Sequence, residues 1–299
     1  MEEISNINVS IIVLLFNADY IKLERTIKSI IDQQSINFEI ILSDDGSKNN
    51  PCDMISSIFD KYNFTRYIFN RNEKNVGTVK NILSALKLAK GKYVYLISPG
   101  DMIFDSTAMK DFYDYAEKNQ SLVCFGDYIC YNYDGHCIKT IDALPCPSRP
   151  YIFEPPYSFF ESKVYALLSG NILGPSFFRE RNYSIKCFEF VSQSSKYVED
   201  NTSVIFSLAE NIPIFHYNRN ICWYETGSGI STNGNSEWVK LITQDFDNTY
   251  AFARKKYPKD KVIDAAYIKR SSKFSKRKML SLFLLLIKHP IVFFTRIKL

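Results

Sequence analysis

The chain has 299 residues, a formal net charge of +5 and the hydrophobic content of an ordinary globular protein, 46%, with many aromatic residues. Seven Cys without a Cys-x-x-Cys pair and only three His argue against a disulfide framework and against a zinc site, and favour reduced thiols. Residues 265–299 contain nine Lys and Arg and no Asp or Glu. Since the whole chain carries +5, residues 1–264 carry a net charge of −4. The basic character therefore belongs to the tail, and the length allows one large or two small domains.

The first hundred residues alternate between strand and helix patterns. Short apolar runs predict strands at residues 9–16, 38–42, 65–69 and 93–97. Helical spacing predicts helices at residues 20–33, 53–62 and 79–89, the last of them closed by Gly91. This alternation predicts an α/β fold with a parallel, Rossmann-like sheet and right-handed crossovers.

The pattern becomes less regular after residue 105. We expect a helix at 107–118, a strand at 122–133, a proline-rich loop at 143–160 and a strand or loop edge at 170–178. An apolar helical pattern follows the pair Glu199 and Asp200, and a strand is expected at 214–224. A mobile segment of small residues should follow at 226–234, and then helices at 236–256 and at about 259–287.

Acidic residues follow two of the predicted strands directly. The run at 93–97 stops at Ser98-Pro99-Gly100 and is followed by Asp101, and the run at 38–42 leads into Asp44 and Asp45. Open α/β sheets bind ligands at the carboxyl edge, where both groups should lie. The alternatives are that Asp101 caps the next helix and that the Asp44 segment is only a turn and N-cap cluster.

Four groups of residues, in this order, resemble the inverting family-2 glycosyltransferases of the GT-A fold. They are VSIIVLLFN with FEIILSDDGS, NVGTVKNILSALKLAKGKYVYLISPGD, LGPSFF with YVED, and WYETGSGIST, which together span residues 9–232. The resemblance implies a GT-A fold, a mixed and mainly parallel sheet flanked by helices, with a C-terminal helical extension. It also implies a nucleotide-sugar donor, and many members build bacterial surface polysaccharides.

The resemblance implies roles in nucleotide binding. The backbone near Leu15 and Phe16, together with Asn17, would flank the base, and Asp44 or Asp45 would hydrogen-bond the base or the ribose. Two basic residues are further nucleotide candidates, Lys80, at a position where the family has Arg, and Arg71. The alternative for each is a solvated surface charge, which is the favoured interpretation for Arg71.

Asp101 is the metal candidate, because Mn²⁺ and Mg²⁺ bind through one or two carboxylates together with substrate phosphates. The chain departs from the family here, since Ser98-Pro99-Gly100 replaces an acidic Asp-x-Asp cluster. Asp45 is one candidate for a second ligand. Glu225 stands where relatives carry Arg, which counts against a diphosphate contact at that position.

Asp200 is the expected catalytic base, which would take the proton of the acceptor hydroxyl in an inverting displacement. Glu199 would orient the site or cap the helix, and the alternative for the pair is a simple helix N-cap. Gly227, Ser228 and Gly229 belong to the expected lid over the diphosphate.

These expectations define a catalytic domain at residues 1–234, with a nucleotide half to about 105 and an acceptor half from 106, and a basic and apolar segment at 235–299. That segment suits an interfacial helix on an anionic membrane, which would place the protein at the inner face of the cell membrane. The alternative is a helix packed on the catalytic domain or on a second subunit of a homo-oligomer. Nucleic acid is not an expected partner.

The function expected from the sequence is transfer of a sugar from a UDP-linked donor to a saccharide or lipid-linked saccharide. The alternative is a non-catalytic GT-A-like subunit that binds nucleotide and partners another transferase.

Overall fold

The computed structural model describes residues 7–133, 137–141, 147–168, 172, 174–227 and 236–270, and the single positions 283 and 287. The strands are β1 (Val9–Leu15), β2 (Phe38–Asp44), β3 (Tyr67–Arg71), β4 (Tyr93–Ile97), β5 (Met102–Ile103), β6 (Val123–Tyr133), β7 (Ile138–Thr140), β8 (Phe177–Glu180) and β9 (Phe215–Glu225). The helices are α1 (Tyr20–Ile31), α2 (Cys52–Lys61), α3 (Thr78–Leu86), α4 (Ala108–Lys118), α5 (Phe159–Leu168), α6 (Arg181–Val191), α7 (Asp200–Ala209), α8 (Ser236–Lys256) and α9 (Lys261–Arg270). Two short 3₁₀ helices span Pro150–Phe153 and Gly174–Ser176.

The strands form one mixed sheet in the order β3-β2-β1-β4-β8-β6-β9-β5, and β7 pairs with β6. The four N-terminal strands β3, β2, β1 and β4 are parallel to their neighbours, as the sequence predicts. The remaining half adds β8 antiparallel to both β4 and β6, and β9 parallel to β6. The parallel half therefore presents the ends of β1, β2 and β4 at a single edge.

Helices cover both faces of the sheet. Alternate residues of β1 show the division, because Ile11 and Val13 contribute to the core beneath α1, α2 and α4, whereas Ile12 contributes to the core beneath α3 and α5–α9. Every residue of β2 and β4 is buried, which explains their nearly continuous apolar sequence.

Helices α5 and α6 were not predicted from the sequence. Residues 162–168 of α5 are buried without interruption, so this helix lacks the polar face that produces a helical period. In α6, aromatic and β-branched residues lie on several sides and face both α3 and α7. Part of α5 falls in the segment interpreted as a loop, residues 143–160.

Helices α8 and α9 pack on the sheet-covering helices of the same core. Tyr250, Ala253 and Ile263 are buried there, and the Tyr250 hydroxyl donates to the carbonyl of Leu167 at 3.1 Å. The predicted domain boundary at residue 234 remains a prediction. Of the predicted tail segment 235–299, residues 235, 271–282, 284–286 and 288–299 lie outside the described residues.

Candidate active site

The loops after β1 and β2 meet at the carboxyl edge of the sheet. The two strands end in register, with Leu15 opposite Asp44, and the N–H of Asp45 donates to the Leu15 carbonyl at 2.8 Å. The N–H of Asn17 donates to the Ser47 hydroxyl at 2.7 Å, and the Asn17 side-chain oxygen accepts the N–H of Lys48 at 3.0 Å. The structure thus brings together four of the residues predicted to bind nucleotide.

Asp44 is completely buried and holds its own loop. Its carboxylate accepts the Ser47 N–H and the Nε–H of Arg71, both at 3.1 Å, and the Ser47 hydroxyl. Arg71 also donates to the Ser47 carbonyl at 2.9 Å. Arg71 is therefore a brace of the loop after β2 rather than a solvated charge, although its side chain is 35% exposed.

Asp45 uses both carboxylate oxygens to fix the segment before α3. One oxygen accepts from Asn72 at 3.2 Å and from the Val76 N–H at 2.9 Å, and the other accepts the Gly77 N–H at 2.9 Å. The side chain is 4% exposed. These bonds count against Asp45 as a second metal ligand, which the sequence analysis considered.

The remaining predicted nucleotide residues are exposed. The Phe16 ring is 44% exposed at the edge of the sheet. Lys80 lies on α3 and lines a cleft of about 610 Å³ between α3, the segment after α6, and α8, together with Lys74 and Lys196. Among the residues described, neither Asn17 nor Asp101 lines this cleft, so Lys80 does not share it with them.

Asp101 lies directly after β4 and is 5% exposed. Its carboxylate accepts the N–H of Glu225, the last residue of β9, at 3.0 Å. Burial raises the pKa of Asp101 to about 8, and the nearby Glu225 carboxylate adds to the effect, although the hydrogen bond from Glu225 opposes it. The side-chain hydroxyl of Thr26 in α1 donates to the Asp101 carbonyl at 2.7 Å and fixes the backbone of this turn.

No group of three or more His, Cys, Asp or Glu arranged to hold a metal ion occurs within the described part of the chain. The segment Ser98-Pro99-Gly100 contributes no carboxylate beside Asp101. The neighbouring carboxylate belongs to Glu225, at the end of β9, the last strand of the described chain.

Glu199 and Asp200 stand at the start of α7. Glu199 makes no side-chain capping bond, whereas Asp200 accepts the N–H of Asn201 at 2.5 Å. Burial raises the pKa of both acids, that of Glu199 to about 8, and the negative charge of Asp200 contributes to the shift of Glu199. The alternative of a simple N-cap thus lacks the Glu199 bond that would define it.

Arg179 in β8 is the cation beneath this acidic pair and was not identified from the sequence. Its side chain is 2% exposed, donates to the Ser203 hydroxyl at 2.9 Å and lies 3.9 Å from a Glu199 oxygen. Its Nε and Nη1 atoms are buried without a hydrogen-bond partner. Its charge lowers the pKa of both acids and so partly offsets their burial.

One 3₁₀ turn, Gly174–Ser176, connects the two acidic segments. The hydroxyl of Tyr95 in β4, the strand that leads to Asp101, donates to the Pro175 carbonyl at 2.6 Å. Gly174 lies against Glu199, where a Cβ atom would stand 2.2 Å from a carboxylate oxygen. The strand that leads to Asp101 and the acid next to Asp200 therefore contact the same turn.

Asp245 of α8 holds the segment that precedes the acidic pair, and the sequence analysis did not identify it. One oxygen accepts three successive N–H groups, those of Lys196 at 3.0 Å, Tyr197 at 2.6 Å and Val198 at 3.0 Å. The Lys196 carbonyl in turn accepts the N–H of Val79 in α3 at 3.1 Å. This segment is thus tied to α8 and also to the nucleotide half.

The predicted lid is only partly described. Gly227 has a φ of +85° and is exposed, whereas Ser228 and Gly229 lie outside the described residues. Two basic residues of the predicted tail bond to the body of the protein. Lys269 is partly buried and donates to the Leu168 carbonyl, whereas Arg270 is exposed and donates to Asp247 at 3.1 Å. No helix of the described chain is long and apolar enough to cross a membrane.

Comparison with known proteins identifies similar proteins by sequence and by structure. The chain is 32% identical over 124 residues to the poly(ribitol-phosphate) β-N-acetylglucosaminyltransferase TarP of Staphylococcus aureus, which is 40% of this chain and 36% of TarP. The structure of S. aureus TarS 1-349 in complex with UDP-GlcNAc superposes with a TM-score of 0.60 at 15% identity, covering 96% of this chain and 81% of that one. The mannosyltransferase PcManGT of Pyrobaculum calidifontis in complex with GDP-Man and Mn²⁺ gives a TM-score of 0.57 at 12% identity, covering 98% and 84%. The chain spans between 36% and 52% of the length of the first curated relatives it matches.

The sheet, its helices and the acidic residues at its carboxyl edge define a protein of the GT-A fold. The profile of the family described as glycosyl transferase family 2 matches residues 10–184, more than half of the chain. The protein belongs to this family, as the sequence motifs predict.

Proposed function

We propose that this protein is an inverting glycosyltransferase that moves a sugar from a nucleotide donor, UDP-linked, to a saccharide or lipid-linked saccharide acceptor in bacterial surface polysaccharide synthesis. Family membership supports transfer chemistry, and a relative that acts on poly(ribitol-phosphate) supports a surface-polymer acceptor. The observation that carries the proposal is that Tyr95, in the strand before Asp101, and Glu199, next to Asp200, both contact the turn Gly174–Ser176.

The loops after β1 and β2 would form the nucleotide site. Asn17 and Ser47 join these loops, and Arg71 braces them, so the backbone around Leu15 and Phe16 is held at the edge before a ligand arrives. Preorganised loops reduce the conformational entropy that is lost on binding. Asp44 and Asp45 would act mainly by holding this shape, because their oxygens already accept hydrogen bonds within the protein.

Asp200 would accept the proton of the acceptor hydroxyl as that oxygen attacks the anomeric carbon from the face opposite the diphosphate. Its raised pKa makes the carboxylate a stronger base than an exposed Asp, and the positive charge of Arg179 limits this rise. Glu199 would support the pair through its contact with Gly174.

Asp101 would contribute to holding a divalent cation, Mn²⁺ or Mg²⁺. The fit rests on its carboxylate oxygens and on the nearby Glu225 carboxylate, one buried oxygen of which has no hydrogen-bond partner. When bound, such an ion stabilises the negative charge of the departing diphosphate. The position of Thr26, which fixes the Asp101 backbone, would keep this carboxylate at the end of β4.

The substitution Asp200→Asn tests the base. We expect UDP affinity to stay within experimental error of the original protein, because the loops of the nucleotide half are untouched, while transfer falls by at least about 10²-fold. Isothermal titration with UDP and product formation from a UDP-sugar panel measure the two quantities, and NMR of the product gives the anomeric configuration. Asp264→Asn serves as the control, since Asp264 is exposed and pairs with Arg254 at 2.6 Å. Full transfer by Asp200→Asn would exclude the base assignment.

The alternative, a non-catalytic subunit that binds nucleotide, is favoured by the loss of the acidic cluster at Ser98-Pro99-Gly100. The two functions differ in donor hydrolysis. A transferase hydrolyses its donor slowly when acceptor is absent, and this activity should disappear with Asp200→Asn. A subunit that only binds nucleotide releases no free sugar.

A further inference from the structure

The side chain of Glu225 occupies the space beside Gly100. A Cβ atom at Gly100 would stand 2.0 Å from Glu225 Oε2, so only glycine leaves room for this carboxylate. Gly100 also has a φ of +107°, which side chains rarely adopt. The backbone N–H of Glu225 donates to the Asp101 carboxylate at 3.0 Å, although the two residues are 124 positions apart.

This arrangement compensates for a missing acid. The segment Ser98-Pro99-Gly100 has no carboxylate, and Glu225 brings one from β9 against the same turn. The other candidate for a second ligand, Asp45, has both oxygens engaged by the segment before α3. Glu225 is therefore the carboxylate that the structure places beside Asp101.

The Glu225 carboxylate is buried among cations. Its side chain is 7% exposed, and Lys22 Nζ lies 3.1 Å from Oε2, yet Oε2 has no partner in hydrogen-bonding geometry. Arg25 Nη2 lies 3.5 Å from Oε1, and the Arg25 guanidinium stacks on the Tyr133 ring at 3.8 Å. A buried carboxylate oxygen without a hydrogen bond is costly unless a cation neutralises it.

We propose that Glu225 is a second protein ligand of the divalent cation, beside Asp101, and that the Lys22 ammonium holds the place of that cation in the free protein. The inference rests on the proposed function. Two carboxylates and the phosphates of a bound nucleotide form a donor set that suits Mn²⁺ or Mg²⁺. Lys22 has a side chain that is 29% exposed and can turn to solvent, whereas Arg25 is held by Tyr133.

The test measures Mn²⁺ binding directly. The full chain is freed of metal with EDTA and exchanged into buffer with saturating UDP, and the loss of the free Mn²⁺ signal in electron paramagnetic resonance gives the affinity. We expect Glu225→Gln to weaken Mn²⁺ binding by at least about tenfold, because a ligand becomes neutral. Lys22→Met should tighten Mn²⁺ binding, because a competing cation is removed. Glu117→Gln is the control, since Glu117 forms a surface pair with Lys92 at 2.6 Å at the opposite end of β4.

UDP affinity in EDTA is measured on each variant and reports whether the nucleotide half is folded. If Glu225→Gln fails this check, Glu225→Asp replaces it, since that variant keeps the charge but shortens the side chain, and we expect the same weakening of Mn²⁺ binding. Unchanged Mn²⁺ affinity in a folded Glu225 variant, alongside a loss in Asp101→Asn, would overturn the second-ligand assignment and leave the proposed function intact. Unchanged or weaker Mn²⁺ binding by Lys22→Met would overturn the place-holding role of Lys22. Absence of UDP binding by the unaltered protein would instead contradict the proposed function.

Discussion

Glu199 stands beside Asp200, the proposed base, in an environment that opposes its charge. It stands 3.9 Å from Arg179, yet burial and the neighbouring Asp200 raise its pKa to about 8. In the unfolded chain the same carboxyl has an ordinary pKa of 4.5. Between these values the native state holds a proton that the unfolded state releases, so the free energy of unfolding decreases as pH rises through this window and stays reduced above it.

Glu199→Gln should therefore stabilise the isolated protein at pH 8.5 but not at pH 4.5. A neutral amide avoids the cost of ionisation, which is nearly absent at pH 4.5 because the native carboxyl is then protonated and the unfolded one is half protonated. We expect the melting temperature to exceed that of the unaltered protein by at least about 2 °C at the higher pH, measured by thermal unfolding with circular dichroism. Glu117→Gln should show no such gain. Burial raises the pKa of Glu117, but the hydrogen bond from Lys92 outweighs burial, so the pKa lies below its ordinary value. Equal melting temperatures at pH 8.5 would mean that Glu199 ionises in the native state without cost.

At the scale of elements, α8 acts on the site through one carboxylate. Asp245 accepts three successive N–H groups of residues 196–198 and so orients the start of α7, where Asp200 stands. Bonds from N–H groups to an ionised carboxylate are stronger than those to a neutral amide oxygen. The helix is thus tied to the acidic pair although it lies outside the residues matched by the family profile, 10–184.

Asp245→Asn should lower kcat by about 10- to 100-fold, because a small displacement of Asp200 misplaces the base, while UDP affinity stays unchanged. The measurement is steady-state transfer well below the melting temperature of the variant, so that the KM for the donor and kcat are separated. Asp247→Asn on the same helix is the matched control, since Asp247 is exposed and bonds Arg270 at 3.1 Å. A parallel loss of UDP affinity would indicate a general loss of structure instead of a positioning role.

Local sequence patterns predict the short apolar strands and the helices with one apolar face. The four parallel strands, α1 and α3 follow from apolar runs and helical spacing, and the structure confirms them. Helix α5 escapes prediction because its residues 162–168 are all buried. No local pattern distinguishes such a helix from a buried strand or an apolar loop.

For the whole molecule, the site residues fall into two groups according to the sequence separation of the residues that they contact. Asp44, Asp45 and Asp101 follow strands directly, so their place at the carboxyl edge is predictable. Glu225 reaches Asp101 across 124 positions, and Asp245 reaches Lys196 across 49. Such pairings arise only when β9 and α8 dock on the completed sheet, so sequence spacing carries no sign of them.

The same long-range packing predicts how the molecule responds to truncation. A chain ending at Arg270 keeps α8 and α9, whose buried residues Tyr250, Ala253 and Ile263 belong to the core of the described structure. We expect this chain to unfold cooperatively and to bind UDP, but to lose binding to vesicles of anionic lipid if the basic segment after it is the proposed membrane contact.

A chain ending at residue 234 should lose cooperative unfolding, because it exposes the faces of α5, α6 and α7 that α8 and α9 cover. Thermal unfolding, UDP titration and vesicle sedimentation of the two chains separate these effects. Cooperative unfolding of the shorter chain would show that α8 and α9 are dispensable for the core, and retained vesicle binding by the longer one would exclude the segment after residue 270 as the membrane contact.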